Sequence, residues 1–186
     1  QLSFLDLVAK GQVYNVESPT MWDIDFKTAV AQAEVEDRSR NGLFHDIRFG
    51  VEGGGELLIS TTRPELLAAC IAVVAHPEDA RYRELFGKYA ITPLFGARVP
   101  IVPAGHADPE KGTGILMVCT FGDGMDVEWW KQSGLPVKQL IGRNGRLLPV
   151  EFGTAPFEST DPEKAQAAWS RLEGLSAAQA KKVSAE

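Results

Sequence analysis

Short apolar runs, each closed by a glycine-rich or polar turn, constrain the fold of this 186-residue chain more than any other feature. Residues 47–51 and 57–60 flank three successive glycines at 53–55, a pattern that predicts a hairpin with a flexible tip. Alternating apolar positions at residues 21–26 indicate another strand. Further strands are predicted over residues 71–75, 89–92, 98–102, 113–119 and 137–141. We therefore expect an α+β fold with a barrel-like sheet over about residues 13–150.

Helical patterns are fewer and lie between or after the strands. Pro64 suits the first turn of a helix. Helical spacing also covers residues 77–86 and 126–133, and two more helices are expected to begin near residues 161 and 176. Residues 1–8 are typical of the end of an amphipathic helix, which favours a segment taken from a larger protein. We divide the chain into that helix end (1–12), the barrel-like domain (13–150) and a return segment of loop and helices (151–186).

The composition limits the classes of function that are open to the chain. Its formal net charge is −6, and an acidic domain lacks the basic stripe that drives binding to phosphates. Most of its affinity for a nucleic acid must therefore come from elsewhere. No apolar run approaches the ~20 residues of a membrane span. Two cysteines without a CxxC pattern argue against a zinc site or a disulfide framework, so we expect a cytoplasmic protein with no metal and no membrane partner.

The segment from Ser60 to Glu65 is a first candidate site. The hydroxyls of Thr61 and Thr62 at a helix start can hold a terminal nucleotide and polarise an ester carbonyl, and Arg63 adds a forked donor. A structural alternative is equally open on this pattern, because Thr62 before Arg63 and a proline is a typical helix N-cap.

Two aspartates, Asp123 and Asp126, form a second candidate site where a glycine-rich turn becomes a helix. Such carboxylates can bind an ammonium group and a hydroxyl, or they can be a solvated loop carboxylate and an N-cap. Residues 111–114 lack P-loop spacing and predict a tight turn, and the three histidines share no metal-ligand pattern. Trp129 and Trp130 are expected in a core or an interface, with base stacking as the alternative.

Four segments form a set of motifs in a fixed order: residues 60–65 (Ser-Thr-Thr-Arg-Pro-Glu), 76–82 (His-Pro-Glu-Asp-Ala-Arg-Tyr), 106–114 (His-Ala-Asp-Pro-Glu-Lys-Gly-Thr-Gly) and 123–130 (Asp-Gly-Met-Asp-Val-Glu-Trp-Trp). As a set they resemble the editing domain of valyl-tRNA synthetase, a class I aminoacyl-tRNA synthetase. The resemblance covers most of residues 22–149. It implies the β-barrel-containing insertion, with peripheral helices, that valyl, isoleucyl and leucyl enzymes share.

The resemblance implies hydrolysis of threonyl-tRNA(Val). A hydrophobic synthetic pocket rejects an added hydroxyl poorly, and valyl enzymes with threonine are a standard example of that limit. By the resemblance, Asp126 binds the α-ammonium and Asp123 accepts the threonine hydroxyl, a hydrogen bond that valine leaves unmet. The implied catalytic residues are Thr61, Thr62 and Asp126, and the implied substrate-binding residues are Arg63, Glu65, Asp123 and Asp126.

Editing of this kind implies no cofactor, and ATP and magnesium would serve only the synthetic site of the parent enzyme. No His-Ile-Gly-His-like or Lys-Met-Ser-Lys-Ser-like segment for amino-acid activation occurs in the chain. The implied partners are the 3′ end of tRNA(Val) carrying a mischarged amino acid and the rest of the parent chain.

The chain departs from the family pattern at two positions. Gly122 stands in place of a histidine and Met117 in place of a pocket lysine, which favours a water attack organised by positioned donors and by the terminal ribose hydroxyl of the tRNA. Two alternatives stay open. An isoleucyl editing domain would clear valyl esters, and a non-catalytic tRNA-binding module would bind without cleavage.

Overall fold

A computed structural model of the chain describes residues 1–14, 19–36, 38–39, 41–120 and 124–184. The strands are β1 (Trp22–Asp23), β2 (Thr28–Ala29), β3 (His45–Val51), β4 (Glu56–Thr61), β5 (Cys70–Ala75), β6 (Tyr89–Ile91), β7 (Arg98–Pro103) and β8 (Ile115–Cys119). The α-helices are α1 (Leu2–Ala9), α2 (Gly124–Ser133), α3 (Pro162–Trp169) and α4 (Ala177–Ser184). Short 3₁₀ helices cover Gln32–Glu34, Pro64–Ala69 and Arg83–Leu85. The α+β class expected from the sequence is confirmed.

Six strands form one sheet in the order β4-β3-β6-β7-β5-β8. Neighbours in this order are antiparallel except β5 and β7, which are parallel with Val73 opposite Ile101. The outer strands β4 and β8 also lie against each other, where the Ser60 N–H donates to Thr113 Oγ1 at 3.3 Å. The sheet is therefore a nearly closed barrel, as the short apolar runs predict.

The core of the barrel continues into the two C-terminal helices. Phe49, Ile59 and Ile101 are fully buried in one cluster, and Trp169 of α3 and Ala180 of α4 belong to the same cluster. β5 is buried along its whole length because its other face carries a second, smaller cluster. The tryptophans at positions 129 and 130 pack against that second cluster, so their expected place in a core is confirmed.

The predicted hairpin at the glycine triplet is confirmed. β3 and β4 pair with His45 opposite Thr61 and Gly50 opposite Glu56. All three glycines at 53–55 have φ between +90° and +112°, a backbone region that residues with a Cβ rarely adopt. No helix in the described ranges is both long enough and apolar enough to cross a membrane.

The helix predicted over residues 77–86 is wrong. Backbone hydrogen bonds there join residues three apart, as from the Tyr82 N–H to Asp79 O and from the Leu85 N–H to Tyr82 O, and only the Arg83–Leu85 turn is helical. The Asp79 carboxylate accepts the N–H of Arg81 at 3.1 Å and pairs with its guanidinium. A side chain that bonds its own neighbouring backbone competes with helix formation, which explains the series of turns.

Two predicted strands are also corrected. The strand at 21–26 shortens to β1, because Asp23 Oδ1 accepts the N–H groups of both Asp25 and Phe26 and closes a turn. The strand over 137–141 is wrong, since this segment has only one bridge, between Ile141 and Leu147. Its Lys138 N–H donates to a threonine hydroxyl and not to a neighbouring strand.

Candidate functional site

A cavity of about 410 Å³ lies between the end of β4, the strand β8 and the first turn of α2. Its lining includes Thr61, Thr62 and Arg63 from the first candidate site and Asp126 from the second. Arg63 and Asp126 are 63 positions apart in sequence, but the two segments share one cavity because β4 and β8 meet at the closure of the barrel. The volume is within the ~300–1,000 Å³ that small-molecule sites occupy.

The segment after β4 turns sharply before the 3₁₀ helix begins. Thr61 Oγ1 accepts the N–H of Arg63 at 3.1 Å, so its own O–H is left to donate elsewhere. Arg63 occupies the N-cap position of Pro64–Ala69, and no side-chain cap hydrogen bond is found there among the described residues. The N-cap interpretation of Thr62 is therefore wrong. Thr62 is exposed and lines the cavity.

Glu65 lies beneath the cavity. Glu65 is 5% exposed, and its Oε1 accepts a hydrogen bond from Arg63 Nε at 3.1 Å. Its Oε2 is buried and has no hydrogen-bond partner among the described residues. A buried carboxylate needs its counter-charge, so Glu65 fixes the direction of the Arg63 guanidinium. Glu65 itself is not part of the cavity lining, whereas Arg63 is.

The second segment follows β8 directly. β8 ends at Cys119, and Asp126 lies in the first turn of α2, where the free N–H groups of a helix start favour a carboxylate. Met117 of β8 also lines the cavity, at the position where the resemblance places a lysine. The predicted residues Gly122 and Asp123 lie outside the described part of the chain.

The rim of the cavity is the loop before β8, and the 76–82 motif supports it. Arg81 Nη2 donates to Pro109 O at 2.8 Å, and the Tyr82 hydroxyl donates to Thr113 O at 2.6 Å. Gly114 has φ +77°, and a Cβ there would lie 2.3 Å from Arg81 Nη2 and 2.8 Å from Pro109 O. This glycine permits the close approach, and the tight turn predicted at 111–114 is confirmed.

Sequence reasoning gave no role to several side chains that the fold brings to the cavity. The rim loop contributes His106, Asp108 and Lys111, and the segment before β3 contributes Phe44. The rim residues belong to the 106–114 motif, and the place of that motif in the family resemblance is the only sequence feature that points to them. Phe44 had no signal of its own, because nothing local in the sequence shows which aromatic residue reaches a distant loop.

The cysteine thiol in the cavity wall is not a nucleophile at neutral pH. Burial raises the pKa of Cys119 well above its usual range, and its Sγ donates to Leu66 O at 3.3 Å. Burial likewise raises the pKa of Cys70, which lies opposite Cys119 in the sheet, to about 12. The groups in the lining that are suited to chemistry are therefore the threonine hydroxyls, the Arg63 guanidinium and the Asp126 carboxylate, together with the imidazole, carboxylate and ammonium groups of the rim.

No family model matches the chain. The chain is 51% identical over 174 residues to the valine–tRNA ligase of Thermobifida fusca, a match that covers 94% of this chain and 19% of that ligase. The chain belongs to the valine–tRNA ligase family. Its identity to the ligase of Salinispora tropica is 48% over 181 residues, covering 97% of this chain and 20% of the relative. The ligase of Leifsonia xyli subsp. xyli is 47% identical over 186 residues, covering 100% and 21%.

The chain spans about a fifth of the length of these valine–tRNA ligases. Among solved structures, it is similar to a LeuRS of Agrobacterium radiobacter K84 (agnB2) in a ternary complex with tRNA and LeuAMS. That match has a TM-score of 0.46 and 21% identity, and it covers 69% of this chain and 19% of the other. Membership of the valine–tRNA ligase family agrees with the resemblance that the four motif segments carry.

Proposed function

We propose that this chain hydrolyses the aminoacyl ester of threonyl-tRNA(Val), as the editing domain of a valine–tRNA ligase. The observation that carries the proposal is the single cavity that gathers Thr61, Thr62, Arg63 and Asp126 in a chain of this family. The similar ligases favour this reaction over the isoleucyl alternative, in which valyl esters would be cleared.

The reaction needs one attacking water and donors for the charge that develops. Water adds to the ester carbonyl carbon, the bond from that carbon to the ribose oxygen breaks, and the ribose oxygen takes a proton. The products are threonine and tRNA with a free terminal hydroxyl. The hydroxyls of Thr61 and Thr62 and the guanidinium of Arg63 donate to the carbonyl oxygen and the terminal adenosine, where fixed donors stabilise the transition state.

Asp126 supplies the contact that every amino acid can make. Its carboxylate binds the α-ammonium, and a hydrogen bond between two charged groups is stronger than one between neutral groups. Glu65 acts through Arg63, because its buried carboxylate holds the guanidinium in place. We therefore assign Glu65 a positioning role in place of direct contact with the substrate.

Asp123 carries the choice of amino acid in this proposal, on the strength of the family resemblance. Its carboxylate accepts the threonine hydroxyl, and valine has no group to take that place, which leaves this acceptor unpaired. We expect Asp123→Ala to bring the hydrolysis rates of threonyl-tRNA(Val) and valyl-tRNA(Val) together. An unchanged ratio of the two rates would remove this role from Asp123.

The partners follow from the same proposal. The ligand is the 3′ end of tRNA(Val) with a mischarged amino acid, and the net charge of −6 leaves most tRNA affinity to the rest of the ligase. Editing uses no cofactor or metal, whereas ATP and magnesium serve synthesis, and the reaction takes place in the cytoplasm. Residues 13–150 form the editing domain, with 1–12 and 151–186 leading from and to the ligase core.

A non-catalytic tRNA-binding module is the second candidate, because Met117 lines the cavity where the resemblance places a lysine. It predicts tRNA binding without any acceleration of ester cleavage.

The experiment for the proposed function is Asp126→Asn, which removes the charge and keeps the shape. Loss of a charged hydrogen bond of ~1.5–3 kcal/mol lowers single-turnover hydrolysis of threonyl-tRNA(Val) about 10- to 100-fold. Glu78→Gln is the matched control, since it removes one negative charge from an exposed residue that does not line the cavity. A normal rate for Asp126→Asn would show that the ammonium is bound elsewhere.

A further inference from the structure

Lys138 is a nearly buried cation that lines a second cavity, of about 480 Å³, together with Arg63 and Thr120. It is 6% exposed, and its Nζ donates to the backbone carbonyl of Cys70 at 3.2 Å. The backbone N–H of Lys138 donates to Thr120 Oγ1 at 3.0 Å, and Nζ lies 5.9 Å from the centroid of the Phe157 ring. Within the described residues, no carboxylate is within 4.0 Å of the ammonium.

The two hydrogen bonds of Lys138 lead to the two segments that form the cavity. Cys70 directly follows the 3₁₀ helix Pro64–Ala69, which Thr61, Thr62 and Arg63 precede. Thr120 directly follows β8, and the next described element in the chain is α2, the helix of Asp126. The Thr120 N–H also donates to Ala69 O at 3.4 Å. Lys138 therefore bonds both segments at the point where they touch each other.

Burying a lysine here costs free energy that a side chain serving only to fill space would not cost. Burial lowers the pKa of Lys138, since apolar surroundings disfavour its charged form. An apolar side chain of similar length would avoid that desolvation and pack equally well. What the lysine adds is the donor that reaches the Cys70 carbonyl, and this donor fixes the position of the backbone.

We propose that Lys138 is a positioning residue for ester hydrolysis, which holds the Thr61–Arg63 segment and the Asp126 helix in their catalytic arrangement. This inference rests on the proposed function. Groups that stabilise a transition state must be placed closely, and a displacement of ~1 Å can lower a rate ~10²-fold. Binding of the distant parts of the tRNA does not depend on that placement, so the effect belongs to kcat.

The test compares Lys138→Met with Lys138→Arg in threonyl-tRNA(Val) hydrolysis. Lys138→Met removes the donor and lowers kcat about 10-fold or more, while KM changes less than about 3-fold and the urea midpoint of unfolding is little changed. Lys138→Arg keeps a charged donor and stays within about 3-fold of the wild-type kcat. Lys88→Met is the matched control, because Lys88 is exposed and lies outside the cavity.

A second pair of variants tests the other bond without touching the lysine. Thr120→Val removes the acceptor for the Lys138 N–H at nearly constant volume, and Thr120→Ser keeps it. We expect the valine variant to lower kcat and the serine variant to retain it. Because the donor of this bond is the backbone N–H, which every residue at position 138 has, this pair tests the junction between the two segments, and the Lys138 variants test the ammonium.

The outcomes separate the two proposals. Selective loss of kcat in Lys138→Met and Thr120→Val, with activity kept in the arginine and serine variants, supports the positioning role. A wild-type kcat in Lys138→Met and Thr120→Val, or a loss that follows only the fraction of unfolded protein, overturns it while editing stands. Failure of both the wild-type chain and the full-length ligase that contains it to hydrolyse threonyl-tRNA(Val) overturns the proposed function and this inference together.

Discussion

Removing the Glu65 carboxylate tests how the Arg63 side chain is held. Glu65 is 5% exposed and bonds Arg63 Nε at 3.1 Å, whereas the Arg63 side chain is 39% exposed. Breaking a fully buried ion pair costs about 3–5 kcal/mol. Because water reaches Arg63, we expect a smaller loss for Glu65→Ala, about 1–3 kcal/mol in the free energy of unfolding. Glu65→Gln keeps an acceptor for Nε and should lose at most about 1.5 kcal/mol.

Urea unfolding measures this loss, provided that the m-value of each variant equals that of the wild type. The matched control is Glu52→Ala, because Glu52 pairs with Arg98 at 2.8 Å but is about half exposed. We expect Glu52→Ala to change stability less than Glu65→Ala and to leave hydrolysis unchanged. Equal effects of the two alanine variants, or hydrolysis by Glu65→Ala at the wild-type rate, would refute the reasoning that a buried carboxylate fixes Arg63.

Three further predictions concern the support of the cavity. The Arg81 guanidinium lowers the pKa of Asp79 below its ordinary 3.8, so the stability that this carboxylate contributes is present above that value and is lost as pH falls through the lower folded value. The difference in urea midpoint between wild type and Asp79→Asn should therefore be constant above about pH 5 and shrink below about pH 4. Gly114 has φ +77°, and the Cβ of an alanine there would lie 2.8 Å from Pro109 O. Gly114→Ala should therefore lower the free energy of unfolding in urea by at least about 1–2 kcal/mol, and an unchanged value would contradict the close approach. Iodoacetamide at neutral pH should not alkylate Cys119, as checked by mass spectrometry, because burial raises the pKa of this thiol. The treated protein should hydrolyse threonyl-tRNA(Val) at the untreated rate.

Local patterns were enough to predict the elements whose partners are close in sequence. The β3–β4 hairpin follows from apolar runs around three glycines, and α3 begins at Pro162 with Asp161 as its N-cap, near the predicted start. The apolar run that forms β8 was also found. In the hairpin and in α3, hydrogen bonds between near neighbours and the burial of one apolar face determine the structure, whereas β8 pairs with the distant strand β5 and is indicated by its apolar run alone.

Two segments whose structure depends on particular side-chain contacts were predicted wrongly. The segment at 137–141 has strand-like residues, but the Lys138 N–H bonds a threonine 18 residues away in place of a neighbouring strand. Helical spacing at 77–86 does not reveal that Asp79 bonds its own backbone and a guanidinium that supports the rim loop. Both outcomes depend on side-chain contacts that periodicity does not encode.

The candidate site, too, could be predicted only in part from local patterns. Its two segments could be predicted separately from hydroxyls before a proline and from paired aspartates, but their meeting requires the contact between β4 and β8. Glu65 was expected to touch the substrate, as an acidic residue in a site motif. The structure places it under Arg63, because the 3₁₀ helix Pro64–Ala69 is buried along its whole length.

Hydrolysis of two esters on the same tRNA examines the proposed editing function without any substitution. Threonyl-tRNA(Val) and valyl-tRNA(Val) are incubated separately with an excess of the chain, and the loss of each ester is followed against its spontaneous rate. Because a site that bonds a hydroxyl strongly disfavours an analogue without one, we expect the threonyl ester to be cleaved at least about 100-fold faster. Cleavage of both esters at the same rate, or of neither above the spontaneous rate by this chain and by the full-length ligase, would contradict the proposed function.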